Sequence, residues 1–174
     1  MIDVQFQRVH PDKVERNNGA RAGVRVILGK PLGVGILSAA LKQGKLSEGG
    51  YRRMIESTTK LNRPGVEFAE MEGVHALTDV TGFGLAGHLL ELCRGAGLAA
   101  SVRWGEVPLM PEAVEHVKAG VFTGASTRNW TGYGKEVRLE KMSDWQKHLL
   151  TDPQTSGGLL VACSPQSEAK VLEV

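Results

Sequence analysis

Twice in this chain an apolar, β-prone run passes through a glycine-rich turn into a helix-like stretch. Val24–Leu28 leads through Gly29-Lys30-Pro31-Leu32-Gly33 to Ile36, Leu37, Ala40 and Leu41 at helical spacing, and Gly44 supplies the stop. Val74–Val80 leads through Thr81-Gly82-Phe83-Gly84 to Leu85–Cys93, which ends at Arg94-Gly95-Ala96-Gly97, a basic residue followed by glycine. Once the order is reversed. Ser143 with Gln146 three residues on is a capping-box pattern for a helix running to Leu150, and Thr155-Ser156-Gly157-Gly158 then feeds the apolar strand Leu159–Cys163. Strands alternating with helices predict an α/β (α+β) fold, a layered sheet with helices on it.

The intervening stretches fill in around that frame. Tyr51, Met54, Ile55, Thr58 and Leu61 predict a helix that Pro64 interrupts, and Val66, Phe68, Ala69 and Met71 a short one after it. Ala99–Trp104 reads as a strand and Pro111–Lys118 as a helix with proline in its first turn. Thr123–Gly134, rich in Gly, Thr, Ser and Asn, reads as loop, and Glu136–Leu139 as a weak strand.

Composition closes off several classes. Apolar residues at 41% and charged residues at 23% over 174 residues are globular usage, long enough for one domain with a sizeable core. A net charge of +2, with Lys and Arg scattered among acids, points to no nucleic acid partner. No apolar run reaches the roughly 18 residues of a membrane span, and the first residues lack a secretory signal. Cys93 and Cys163 stand apart without CxxC spacing, so a reduced, cytoplasmic protein is expected. Residues 1–23 are polar, with Pro11, Asn17, Asn18, Gly19 and Gly23 as breakers, and read as a connection from something preceding; the other end stops inside a helix-like stretch.

Chemistry has three candidate places. In the first, the Val74–Val80 strand delivers Asp79 to its C-terminal end, and Gly82 and Gly84 allow amides to point at an anion before a helix begins. A carboxylate would repel phosphate unless Mg²⁺ bridged the two, so metal-bound ATP accounts for both halves, with Thr78 and Thr81 as added hydroxyls. Asp79 as a simple helix cap is the alternative that spacing leaves open. Gly82-x-Gly84-x-x-Gly87 also matches a dinucleotide fingerprint with Glu106 near the ribose-acid position, which keeps an oxidoreductase in view. The second place, Thr151–Gly158, reads locally as a turn. In the third, Gly29–Gly35, Lys30 could meet a phosphate but reads as a solvated surface residue. His88 reads as a helix-surface or satisfied core residue, Cys93 as core, and no nucleophile is nominated.

Taken together these residues resemble the carboxy-terminal domain of selenophosphate synthetase (selenide, water dikinase), in the aminoimidazole ribonucleotide synthetase superfamily. The matching stretches are His10-Pro11-Asp12-Lys13 with Arg16-Asn17, Gly29–Gly33, Leu61-Asn62-Arg63, VHALTDVTGFGLAGH from Val74 to His88, and LTDPQTSGG from Leu150 to Gly158. The resemblance implies a fold similar to the synthetase C-terminal domain over 24–174, with 1–23 leading from a missing N-terminal ATP-binding domain. It implies that ATP, selenide and water give selenophosphate, AMP and phosphate, for selenocysteine synthesis. It implies Asp79 as a Mg²⁺ ligand, with Thr78, Thr81, Gly82 and Gly84 around the ATP phosphates. The resemblance puts the remaining metal carboxylates and the catalytic residues of the family in the other half, so this chain alone is expected to be inactive, and a monomer is expected where the intact enzyme is a homodimer. A non-catalytic partner domain is the other reading. Gly29 and Val34 replace family threonines, and Ser126-Thr127-Arg128-Asn129 has one basic residue fewer than the family pattern.

Overall fold

Alternation along three strands sets the layering. The computed structural model describes residues 17–174, so the His10–Arg16 stretch lies outside the described residues. The strands are β1 (Arg25–Leu28), β2 (Val74–Asp79) and β3 (Leu159–Cys163), with β3 between the other two and antiparallel to both. Ala76, Val80, Leu160 and Ala162 face Leu85 and Leu92 of α4 (Gly84–Ala96). The odd positions Leu77, Val161 and Cys163 face the other way, onto Phe68 of α3 (Pro64–Glu70) and Val171 of α8 (Glu168–Glu173). A register shift between Val74 and Ala76 puts Val74 on this second face as well.

A helical group packs beside the sheet. Ile36 and Leu37 of α1 (Val34–Lys42), Met54 of α2 (Glu48–Thr59), Ala113 and Val117 of α5 (Pro111–Lys118) and Leu149 of α7 (Asp144–Leu150) share one core. Ile36, Leu37 and Leu149 have no exposed surface, each worth ~1.5–3 kcal/mol of burial. Local chemistry agrees with this packing. Ser47 caps α2 by accepting from Gly50 N at 2.9 Å, Ser143 and Gln146 form the expected capping box, and Gly97 ends α4 in the left-handed region at φ 67°.

Four expectations need correction. Thr123–Gly134 is a helix, α6 (Gly124–Tyr133), rather than a loop. Thr123 caps it by accepting from Ser126 N, and Ser126 and Tyr133 are buried by tertiary contacts that composition does not show. Ala99–Trp104 forms no strand: Ala99–Arg103 are exposed with no strand beside them, and only Trp104 packs, edge-on against Trp145. Glu136–Leu139 forms none either, as Glu136 closes a 3-10 turn and pairs with Arg94. In α2 the apolar stripe is only partly used. Met54 is buried while Tyr51 and Ile55 stay exposed, and Leu61, also exposed, lies beyond the helix end.

Candidate metal and phosphate site

The sheet register brings the three sequence places to one edge. Leu160 of central β3 lies between Leu28 of β1 and Thr78 of β2. One residue further, Gly29 N donates to Leu159 O and Val80 N donates to Gly158 O, both at 2.9 Å. The strand ends preceding Lys30 and Thr81 therefore flank the start of β3, and the Thr151–Gly158 loop touches both.

That loop is far more than a turn. Asp152 is fully buried, and its Oδ2 accepts from Gly35 N at 3.0 Å and Ile36 N at 3.3 Å, the free amides of α1's first turn. Gln154 Oε1 accepts from Gly33 N and Val34 N, while its Nε2 donates to Asp152 Oδ2 at 2.9 Å. α1 lacks a capping side chain of its own, and this distant loop supplies one. Among the described residues Asp152 Oδ1 has no partner, and burial pushes the carboxyl up to about 7 against the opposing hydrogen bonds from Gln154, Ile36 and Gly35. A Cβ on Gly35 would lie 2.5 Å from Asp152 Oδ1, so only glycine admits the carboxylate there.

Lys30 corrects a second expectation, because it is buried rather than solvated. Its Nζ donates to Lys60 O at 2.6 Å, the end of α2, and to Ser156 O at 2.7 Å. Burial first, then the nearby Lys60 charge, lowers its pKa. Asn62 Nδ2 adds a bond to Gly157 O at 2.8 Å.

The turn after β2 is held by its carbonyls. Thr81 O accepts from Gln154 N at 2.9 Å, Gly82 O from Asn129 Nδ2 at 2.8 Å, and Phe83 O from the Tyr133 hydroxyl. Burial pushes the Tyr133 phenol up to about 12, which keeps it a donor. The N–H groups of Gly82 and Phe83 find no acceptor among the described residues, and no side chain caps α4. Gly84 has φ 69° and sits against the Thr151 backbone, whereas Gly82 has open space around it and no positive φ.

Each predicted site residue can now be placed. Asp79 is exposed, its carboxylate has no partner among the described residues, and it does not cap α4, whose N-cap is Phe83. Thr78 points to the α4 face and Asp79 to the opposite one, so the strand separates them. The Thr81 hydroxyl is engaged by His88 Nε2 at 3.1 Å, and His88 Nδ1 meets Glu91 at 3.1 Å, making His88 a satisfied buried residue. Among the described residues no three His, Cys, Asp or Glu side chains gather as a metal cluster. Cys93 and Cys163 have their thiol pKa values raised by burial, the opposite of an activated nucleophile. A groove of about 720 Å³ runs along β1 and α4 but does not reach Asp79 or Thr81–Gly84.

The dinucleotide reading loses its support. Its fold needs parallel strands around the fingerprint, yet the sheet of the described residues is antiparallel, and α4 is followed by 3-10 turns and three helices before β3. Glu106 sits in a 3-10 turn, paired with Arg103 at 2.6 Å.

Comparison with known proteins decides the family. Residues 21–174 match the family described as AIR synthase related protein, C-terminal domain. The chain is a member of that family. The domain is 59% identical over 165 residues to a selenide, water dikinase of Paraburkholderia xenovorans (strain LB400), covering 94% of this chain and 47% of the relative. It is 54% identical over 167 residues to one from Dechloromonas aromatica (strain RCB), covering 95% and 48%. The AIR synthase related domain thus spans about half the length of the curated relatives it matches. Among solved structures it resembles a thiamine-monophosphate kinase from Stenotrophomonas maltophilia K279a (TM-score 0.64, 15% identity, 95% of this chain and 47% of that one). It also resembles the hydrogenase maturation protein HypE in complex with ATP (TM-score 0.62, 19% identity, 95% and 41%). At those identities the likeness shows the fold, and it confirms the layered α/β expectation for the AIR synthase related domain.

Proposed function

We propose that this domain supplies one wall of the Mg-ATP site of a selenide, water dikinase, which makes selenophosphate, AMP and phosphate from ATP, selenide and water. The observation that carries the reading is the turn Thr81–Gly84. The carbonyls of Thr81, Gly82 and Phe83 are occupied, while among the described residues the Gly82 and Phe83 amides are free and the carboxylate of Asp79, two residues before the turn, has no partner. Free amides at the start of a 13-residue helix suit an anion, and a lone exposed carboxylate suits one contact to a hard cation. Asp79 would hold Mg²⁺, whose charge offsets that of the phosphates during phosphoryl transfer. Thr81 would act by fixing the turn through His88 rather than by touching phosphate.

The other metal ligands and the groups that handle selenide are assigned to the half of the relatives that this chain does not cover. The domain alone is therefore expected to bind Mg-ATP weakly and to show no turnover of ATP to AMP. In the whole enzyme the reading places it in a cytoplasmic homodimer that feeds selenocysteine synthesis.

Calorimetric titration tests the reading. Mg-ATP should bind, ATP with chelator should bind at least about tenfold more weakly, and NADH should not bind. Asp79→Asn should remove the metal dependence while moving unfolding stability by no more than ~0.5 kcal/mol, as for an exposed, unpartnered side chain. Equal binding by the Asp79→Asn protein would remove Asp79 from the site. Tight NADH binding would revive the oxidoreductase despite the antiparallel sheet.

A further inference from the structure

We infer that α6 is a positioning device for this site, and that Asn129 and Tyr133 set the orientation of the phosphate-facing turn. The inference rests on the Mg-ATP reading above and adds residues that the reading does not require.

Asn129 and Tyr133 are four residues apart, so they lie on one face of α6. Asn129 has two amide hydrogens on one nitrogen, and Nδ2 lies within hydrogen-bond distance of two carbonyls. One is Gly82 O at 2.8 Å in the turn, and the other is Thr151 O at 3.0 Å at the head of the Thr151–Gly158 loop. The Tyr133 hydroxyl takes the next carbonyl, Phe83 O. Consecutive peptide units are thus fixed from one helix. A peptide group is planar, so holding its carbonyl fixes the direction of the N–H in the same plane. Holding Gly82 O therefore fixes the free amide of Phe83, and holding Phe83 O fixes the Gly84 amide that closes the turn onto Thr81 O at 3.1 Å.

Two glycines make the approach possible. A Cβ at Gly87 would lie 3.0 Å from the Tyr133 ring and 2.5 Å from Phe83 Cβ. A Cβ at Gly84 would lie 2.7 Å from the Thr151 carbonyl carbon. Of the three fingerprint glycines, Gly84 and Gly87 thus admit the loop and the α6 side chain. Ser126, on the same helix, is bonded to Thr151 Oγ1 at 2.8 Å and His148 Nδ1 at 2.7 Å without touching the turn. It holds α6 in place and serves as an internal control.

The test uses this chain in four forms: unchanged, Asn129→Ala, Tyr133→Phe and Ser126→Ala. Each is titrated with Mg-ATP, and each is followed by amide NMR of Gly82, Phe83 and Gly84. Tyr133→Phe removes one oxygen and keeps the packed ring, so it separates orientation from folding. Asn129→Ala and Tyr133→Phe should each weaken Mg-ATP on the order of tenfold and shift those amide signals before ligand is added. Ser126→Ala should lower the unfolding midpoint yet bind Mg-ATP as the unchanged chain does. Unaltered affinity in both Asn129→Ala and Tyr133→Phe would overturn the inference and leave the Mg-ATP reading standing. Equal weakening in Ser126→Ala would also overturn it, since any damage to α6 would then suffice. No binding by the unchanged chain would instead overturn the Mg-ATP reading, and the inference with it.

Discussion

Asp152→Ala is expected to destabilise this domain by on the order of 3 kcal/mol or more, a large share of the ~5–15 kcal/mol typical of a domain. The substitution leaves Gly35 N and Ile36 N without their acceptor and Gln154 Nε2 with only the Asp152 carbonyl, all in the buried junction between α1 and the Thr151–Gly158 loop. Each such orphaned donor costs about 1–3 kcal/mol, and recovered carboxylate desolvation offsets part of the total. Asp152→Asn keeps an oxygen for the same amides and should fold normally.

The two variants also separate a pH effect. Folding raises the Asp152 carboxyl from its ordinary 3.8 to about 7. Between those values the folded chain holds a proton that the unfolded chain has released. The stability from this group is therefore fully present below about pH 4, falls as pH rises and levels off above about pH 7, spanning on the order of 4 kcal/mol. Acidic groups such as Glu112, held below the usual carboxylate range by Ser47 and Arg53 against the cost of burial, push the whole protein the other way. The readout is thus the difference between unchanged chain and Asp152→Asn in urea midpoints from pH 4.5 to 7.5. That difference should vary with pH, and a constant difference would show that Asp152 is ionised throughout.

Gly84→Ala should be the second large effect, at about 3 kcal/mol or more. Two costs combine there. The left-handed φ of 69° disfavours any side chain by ~1 kcal/mol, and the new Cβ would stand 2.7 Å from Thr151 C and 2.8 Å from Leu150 O. Both neighbours are backbone, so α4 and the loop must part rather than one side chain rotate. Gly97→Ala isolates the first cost, having nearly the same φ of 67° and no atom of the described residues within 4 Å of the added Cβ. It should lose only about 1 kcal/mol. Gly82→Ala has neither problem and should leave thermal unfolding nearly unchanged. Equal midpoints for Gly84→Ala and Gly97→Ala would mean that the close approach of α4 to Thr151 does not exist in solution.

What the sequence made legible follows from where its signals are local. The Val74–Asp79 strand, the capped α7 and the Gly97 stop carry their own instructions in neighbouring residues, and all three appear. α6 was hidden because its inward stripe, Ser126, Asn129 and Tyr133, is mostly polar. Such residues read as loop until the carbonyls they bind are known. Asp152 was hidden for a related reason: its partners, Gly35 and Ile36, are more than a hundred positions away, so Asp-Pro looked like a turn. The opposite error came at Ala99–Trp104. There β-branched and small residues promised a strand, but pairing needs a neighbour and none lies alongside. Asp79 was legible as a carboxylate at a strand end. Its freedom from capping required the geometry.

The most direct test of the account is Mn²⁺ broadening of amide NMR signals in the isotope-labelled chain, with Mn²⁺ replacing Mg²⁺ in the presence of ATP. The account predicts that signals of Asp79 and Thr81–Leu85 broaden first, and that Asp79→Asn abolishes this while the remaining spectrum stays folded. Broadening centred elsewhere, or unchanged by Asp79→Asn, would contradict it.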